Sequence, residues 1–118
     1  MKYSFFLLIA LSVNLSCSQI KSKPITEFSQ KDAKNVLLID VRTPGEYAKG
    51  HMDNALNINW FDANFTDRFK DFDKEKPIYL YCQKGGRSAK AAKVLDSLGY
   101  EVVNLSGGYG ALITAGLK

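Results

Sequence analysis

The stretch from Ile78 to Leu98 constrains the fold more than any other. Ile78-Tyr79-Leu80-Tyr81 is an apolar run of the length of a short buried strand. From Arg87 onward Ala89, Ala92, Val94, Leu95 and Leu98 recur at spacings of three and four, the period of an amphipathic helix. Between the two lies Cys82-Gln83-Lys84-Gly85-Gly86, which puts Cys82 in a tight strand-to-helix loop. There the backbone N–H groups and the positive end of the helix dipole converge on an anion. A thiolate is such an anion.

The rest of the chain repeats the alternation. Ile25 to Phe28 reads as a short edge strand, and Ser29 caps a brief helix through Lys34 with Asp32 in its first turn. Val36 to Ile39 is a continuous apolar run typical of a strand buried on both faces, ended by Asp40. Thr43 and Pro44 mark a helix start that stops near Gly50, and Ala55 to Ile58 is the next strand. Asp62 to Phe72 is amphipathic, with Phe65, Phe69 and Phe72 on one face. Gly99 is placed to end the helix after Cys82, Glu101 to Leu105 forms another strand, and Gly110 to Ala115 a last short helix. Strands alternating with helices imply parallel pairing, so the fold class is α/β: a small parallel sheet of about five strands with helices on both faces. Ligands of such sheets bind beyond the carboxyl ends of the strands. Cys82, Asp40 and the Gly107-Gly108 pair all fall there.

Chemistry follows from that placement. A free cysteine titrates near 8.5, and a helix N-terminus or neighbouring cations lower it by one to several units. Lys84 and Arg87 supply charge, while Gly85 and Gly86 let successive N–H groups point inward. Cys82 is therefore expected to be a nucleophilic thiolate at neutral pH. The competing reading, a structural cysteine ending a core strand, is weakened by the Gly-Gly-Arg loop and the helix behind it.

The N-terminus carries a different signal. Lys2 precedes an apolar run from Phe5 to Leu15, about eleven residues against the roughly twenty a membrane span needs. It ends in Leu15-Ser16-Cys17-Ser18, which resembles a bacterial lipoprotein signal, although Asn14 stands where that signal has Leu. Residues 1–16 are accordingly expected to be a signal peptide, residues 17–24 a polar tether with lipid on Cys17, and residues 25–118 the folded domain. The chain is then exported, periplasmic and anchored to the membrane; an ordinary cleaved signal is the alternative. Lipid on Cys17 leaves Cys82 as the remaining thiol, so no disulfide is expected. The remaining length suits one core. The net charge of +4 is spread among acids, no basic stripe interleaves with aromatics, and nothing argues for nucleic acid. No cluster has metal-ligand spacing, so no metal and no cofactor are expected.

The motifs together resemble the rhodanese homology domain over roughly Thr26 to Leu117. Leu38-Ile39-Asp40-Val41-Arg42 with Glu46-Tyr47, Gly50-His51-Met52 and Ala55-Leu56-Asn57-Ile58 are similar to its first signature. Tyr81 to Ser88 resembles its active loop, and Leu105-Ser106-Gly107-Gly108 its closing motif, which in the family ends in Trp where Leu112 stands here. The resemblance implies a thiosulfate-type sulfurtransferase. Cys82 would take the outer sulfur of a small anionic donor as a persulfide and pass it to a thiol, cyanide or protein acceptor. A sulfur carrier without fast turnover is the alternative. By the same resemblance, Gln83, Lys84, Gly85, Gly86, Arg87 and Ser88 stabilise the thiolate or bind the donor, with Arg87 orienting its oxyanion. Phosphatases of this fold place five residues between cysteine and arginine; here Gln83 to Gly86 make a tighter loop, suited to a sulfur atom. Asp40 and Arg42 are expected beside the crevice, with pairing of Arg42 to Glu46 as the alternative. The single histidine, His51, is expected to be structural, and Trp60 and Phe61 to belong to the core.

Overall fold

The structure, a computed structural model, describes residues 20–117. Its strands are β1 (Lys21–Pro24), β2 (Leu37–Asp40), β3 (Leu56–Asn57), β4 (Ile78–Tyr81) and β5 (Val102–Ser106). They form one sheet in the order β1-β5-β4-β2-β3, and every pairing is parallel. The strand that carries Cys82 is therefore the central one. This is the expected α/β architecture.

Helices cover both faces because the strands β2, β4 and β5 are apolar on both. On one face α2 (Gly86–Ser97) lays Ala91, Ala92 and Leu95 against Ile39, Ile78, Leu80 and Val102. On the other, Leu38, Tyr81 and Leu105 pack with Ile25, Met52 and Leu112, the last from α3 (Gly108–Thr114). Burying each Leu, Ile, Val or Met side chain among these contributes about 1.5–3 kcal/mol. Leu112, standing where the family has Trp, is buried in this second core. The remaining helix, α1 (Pro44–Ala48), starts as expected at Thr43: its hydroxyl accepts the Glu46 N–H at 3.3 Å, and the Glu46 carboxylate accepts the Thr43 N–H at 3.2 Å.

Four expectations about the elements need correction. Ser29 caps no helix through Lys34: a turn of 3-10 helix spans Asp32–Asn35, and the Ser29 N–H and hydroxyl instead donate to the Asp32 carboxylate at 2.9 and 3.2 Å. Residues 21–24, expected as tether, are β1, with Lys21 opposite Val103 and Pro24 opposite Ser106. An edge strand facing water can be polar and carry Lys and Pro, so its composition gives no hydrophobic signal. Ile25–Glu27, expected as that strand, is one turn of 3-10 helix whose Ile25 plugs the second core. The stretch 62–72 is a run of turns with 3-10 helix only at Thr66–Phe69. Its phenylalanine spacing still works, because Phe65 and Phe69 are buried, and Phe69 meets Phe65, Phe72 and Tyr100 edge-on at 5.0, 5.4 and 6.3 Å. Asn64, Thr66 and three aspartates make a poor helix, and aromatic packing decides the conformation instead. Cys17 and the signal segment lie outside the described residues.

Candidate active site

Cys82 follows directly on β4, and α3 sets the conformation of its loop. The N–H of Tyr109 donates to the Cys82 carbonyl at 2.8 Å, and the N–H of Gly110 to the Gln83 carbonyl at 3.0 Å. With two successive carbonyls held by α3, the amides that follow turn the other way, toward the sulfur. Gly85 N–H donates to Cys82 Sγ at 3.0 Å, and the Ser88 hydroxyl donates to it at 3.3 Å. Gly85 can close this turn because it adopts φ +110°, a region costly for residues with a Cβ. Gly108 permits the approach from the other side: a Cβ there would sit 2.5 Å from the Cys82 carbonyl oxygen.

Cys82 is 1 % exposed, yet it lines a cleft. Burial is the largest influence on it and pushes the thiol up. The Ser88 hydroxyl and the N–H groups of Ser88, Gly85 and Lys84 together outweigh burial and hold Cys82 below the ordinary thiol range. The reading of Cys82 as an inert core cysteine does not account for these aimed donors.

The two arginines of the site are each held by a carboxylate. Arg87 donates to both Glu46 oxygens, at 2.7 and 2.9 Å, a bidentate pair across the cleft mouth. These bonds hold the Glu46 carboxyl at about 2. Glu46 is therefore the partner of Arg87 and not of Arg42. Arg42, almost fully buried, donates to the Asp40 carboxylate at 2.7–3.1 Å, to the Gly50 carbonyl at 2.7 Å and to Gln83 Oε1 at 3.1 Å. Its guanidinium also lies 4.4 Å from the Tyr109 ring centroid. Burial pushes Arg42 down, but the hydrogen bonds and charge of Asp40 more than restore it, so its guanidinium is held above the ordinary arginine range. Arg42, held by Asp40, thus reaches the site through the Gln83 side chain.

The cleft holds about 420 Å³ and is lined by Glu46, Cys82, Gln83, Lys84, Gly86, Arg87 and Lys90. Of the predicted site residues, Gly85 and Ser88 act on the sulfur from beneath this lining. Sequence reasoning missed Glu46 and Lys90 as cleft residues. Lys90 was discoverable, being one helical turn beyond Arg87; Glu46 lies 41 residues from its partner, and no local pattern signals that contact. His51 is exposed, with Nδ1 2.9 Å from the Tyr47 carbonyl oxygen and its ring stacked on Tyr47 at 3.6 Å, a structural role as expected. Trp60 packs edge-on against Phe65 at 5.1 Å. Phe61, expected in the core, is 67 % exposed, with the Arg87 guanidinium 5.7 Å from its ring centroid. Among the described residues, no group of three or more His, Cys, Asp or Glu is gathered, and no helix is long and apolar enough to cross a membrane.

With that geometry in place, the family follows from comparison. The profile of the Rhodanese-like domain matches residues 26–115, and the chain belongs to this family. It is similar to a sulfurtransferase of Allochromatium vinosum, 37% identical over 87 residues that cover 73% of this chain and 79% of that one. To the thiosulfate sulfurtransferase GlpE of Shewanella oneidensis it is 32% identical over 81 residues, covering 68% and 78%. The match to the uncharacterized protein YqhL of Bacillus subtilis is 42% identical and covers 61% of this chain, but spans only 56% of YqhL. A rhodanese-related protein of Thermoplasma volcanium shares the fold with a TM-score of 0.74 at 28% identity, over 83% of this chain and 95% of that one.

Proposed function

We propose that the protein is a sulfurtransferase that carries sulfur as a persulfide on Cys82. The observation that carries this reading is the pair of donors, Gly85 N–H and Ser88 hydroxyl, aimed at the sulfur of a cysteine that lines a cleft. The Cys82 thiolate attacks the outer sulfur of a thiosulfate-like donor, a carbon–sulfur–sulfur linkage forms, and sulfite leaves with the electron pair of the broken S–S bond. The terminal sulfur is then attacked by an acceptor such as cyanide or a thiolate. The Cys82 thiolate leaves with its original charge, so no net oxidation of the protein occurs. The same amides that stabilise the thiolate stabilise the persulfide anion, whose charge sits one atom further out.

Mass spectrometry after thiosulfate treatment tests this. The native chain is expected to gain one sulfur, and Cys82→Ser none; sulfur on the variant, or none on the native chain, removes the basis of the mechanism. Turnover of thiosulfate with cyanide separates an enzyme from a carrier, which would load stoichiometrically and stop. We further propose that the protein works outside the cytoplasm, anchored through lipid on Cys17. The short apolar run ending in Leu-Ser-Cys supports this. Release of the mature protein from cells without detergent would rule the anchor out.

A further inference from the structure

We infer that Lys90 is the cation that selects the sulfur donor by its charge, and that Glu46 withholds Arg87 from that task. This rests on the persulfide reading above. Arg87 is the obvious anion binder of the loop, but three contacts engage it. Both of its terminal nitrogens are spent on Glu46, at 2.7 and 2.9 Å, and the ring of Phe61 lies 5.7 Å from its guanidinium carbon. Glu46 cannot swing aside freely, because its carboxylate also accepts from the Thr43 N–H and hydroxyl at 3.2 and 3.1 Å. Turning Arg87 toward a dianionic donor would leave a carboxylate unpaired at the same mouth, facing that dianion. The Glu46–Arg87 pair is therefore a neutral brace.

What remains of the cleft's charge is Lys84 and Lys90. Lys84 lies in the loop itself. Lys90 is outside every motif of the family described above; it lines the cleft only because it sits one helical turn beyond Gly86 and Arg87 on α2. Among the described residues it has no ion-pair partner. A flexible ammonium at the wall, with its charge unspent, offsets the repulsion between an anionic donor and the Cys82 thiolate. That effect grows with donor charge, so Lys90 favours a dianion over a monoanion.

The test compares thiosulfate with methanethiosulfonate, which gives the same persulfide but carries one negative charge fewer. At low salt, Lys90→Gln is expected to lower kcat/KM about fivefold for thiosulfate and about twofold for methanethiosulfonate, mostly through KM. Lys93→Gln, an exposed change on the same helix away from the cleft, is the control. Glu46→Gln alone keeps a capping residue at its position but unmasks Arg87, and is expected to lower the thiosulfate KM about fivefold at similar kcat. Glu46→Gln combined with Arg87→Gln restores neutrality and is expected to leave the donor ratio within about twofold of native. The inference is overturned if Lys90→Gln affects both donors equally, behaves like Lys93→Gln, or shifts the ratio less than the paired Glu46 and Arg87 change does. A native chain that gains sulfur from neither donor overturns the persulfide reading itself, and this inference with it.

Discussion

Ser88→Ala isolates one of the interactions that hold the Cys82 thiolate. The Ser88 hydroxyl lies 3.3 Å from Cys82 Sγ and 3.2 Å from the Gly85 carbonyl oxygen. That carbonyl also accepts the Ala89 N–H at 3.1 Å, so the variant leaves no backbone group unpaired. The loss is the hydrogen bond to sulfur. A bond to a charged group contributes about 1.5–3 kcal/mol, and a long one to diffuse sulfur belongs at the low end. One pKa unit corresponds to about 1.4 kcal/mol. Because only the thiolate form loses this stabilisation, Cys82 in the variant is expected to titrate about one unit higher. Below both pKa values its thiolate fraction falls about tenfold. The more basic thiolate is about threefold more nucleophilic, so the net rate falls about three- to fourfold. Above both pKa values the order reverses, and the variant reacts about threefold faster. The two pH–rate profiles should therefore cross. Alkylation by iodoacetamide from about pH 5 to about pH 9, followed by intact mass, reads this directly; Ser97→Ala, far from the cleft, is the control. Parallel profiles with an unmoved inflection would refute the claim that the Ser88 hydroxyl holds the charge.

Two further outcomes test the scaffold around the sulfur. Arg87 holds the Glu46 carboxyl at about 2, below its ordinary 4.5, so this group stabilises the fold above about pH 4.5 and loses that contribution as pH falls toward 2. With 32% of that side chain exposed, the contribution is about 1–2 kcal/mol after screening. The difference in urea stability between the native chain and Glu46→Gln is expected to shrink from about pH 7 to about pH 3; a constant difference contradicts the pairing. Gly108→Ala forces a Cβ against the Cys82 and Gln83 backbone at 2.5 Å from a residue at φ +67°. It is expected to cost about 2–4 kcal/mol and to slow Cys82 alkylation, read by thermal denaturation and labelling. An unchanged midpoint with unchanged labelling would show that α3 does not set the loop.

The core elements were legible because their cause is local. Val36 to Ile39, Ile78 to Tyr81 and the spacing of Ala92 and Leu95 carry the periods of buried strand and amphipathic helix in the chain itself. The edge was not legible: β1 is Lys-Ser-Lys-Pro and takes its conformation from pairing with β5. The aromatic spacing from Phe65 to Phe72 correctly announced burial but not the conformation that achieves it. In the site, Cys82 and its glycine loop were visible as a motif, while the assignment of charges was not. Spacing of four residues offers Glu46 as an alternative partner for Arg42, yet Arg42 turns to Asp40 and Gln83, and Glu46 reaches Arg87 across the mouth.

Residue order along the chain thus determined that a cysteine would end a buried strand and meet a helix through two glycines, since strand period, glycine freedom and helix period are properties of neighbouring residues. Only the tertiary structure decided which way the loop amides face. That depends on Tyr109 and Gly110 taking the Cys82 and Gln83 carbonyls. It decided the charge of the cleft as well, because electrostatic pairing follows distance in space, and α1, α2 and α3 come together only when the sheet has formed.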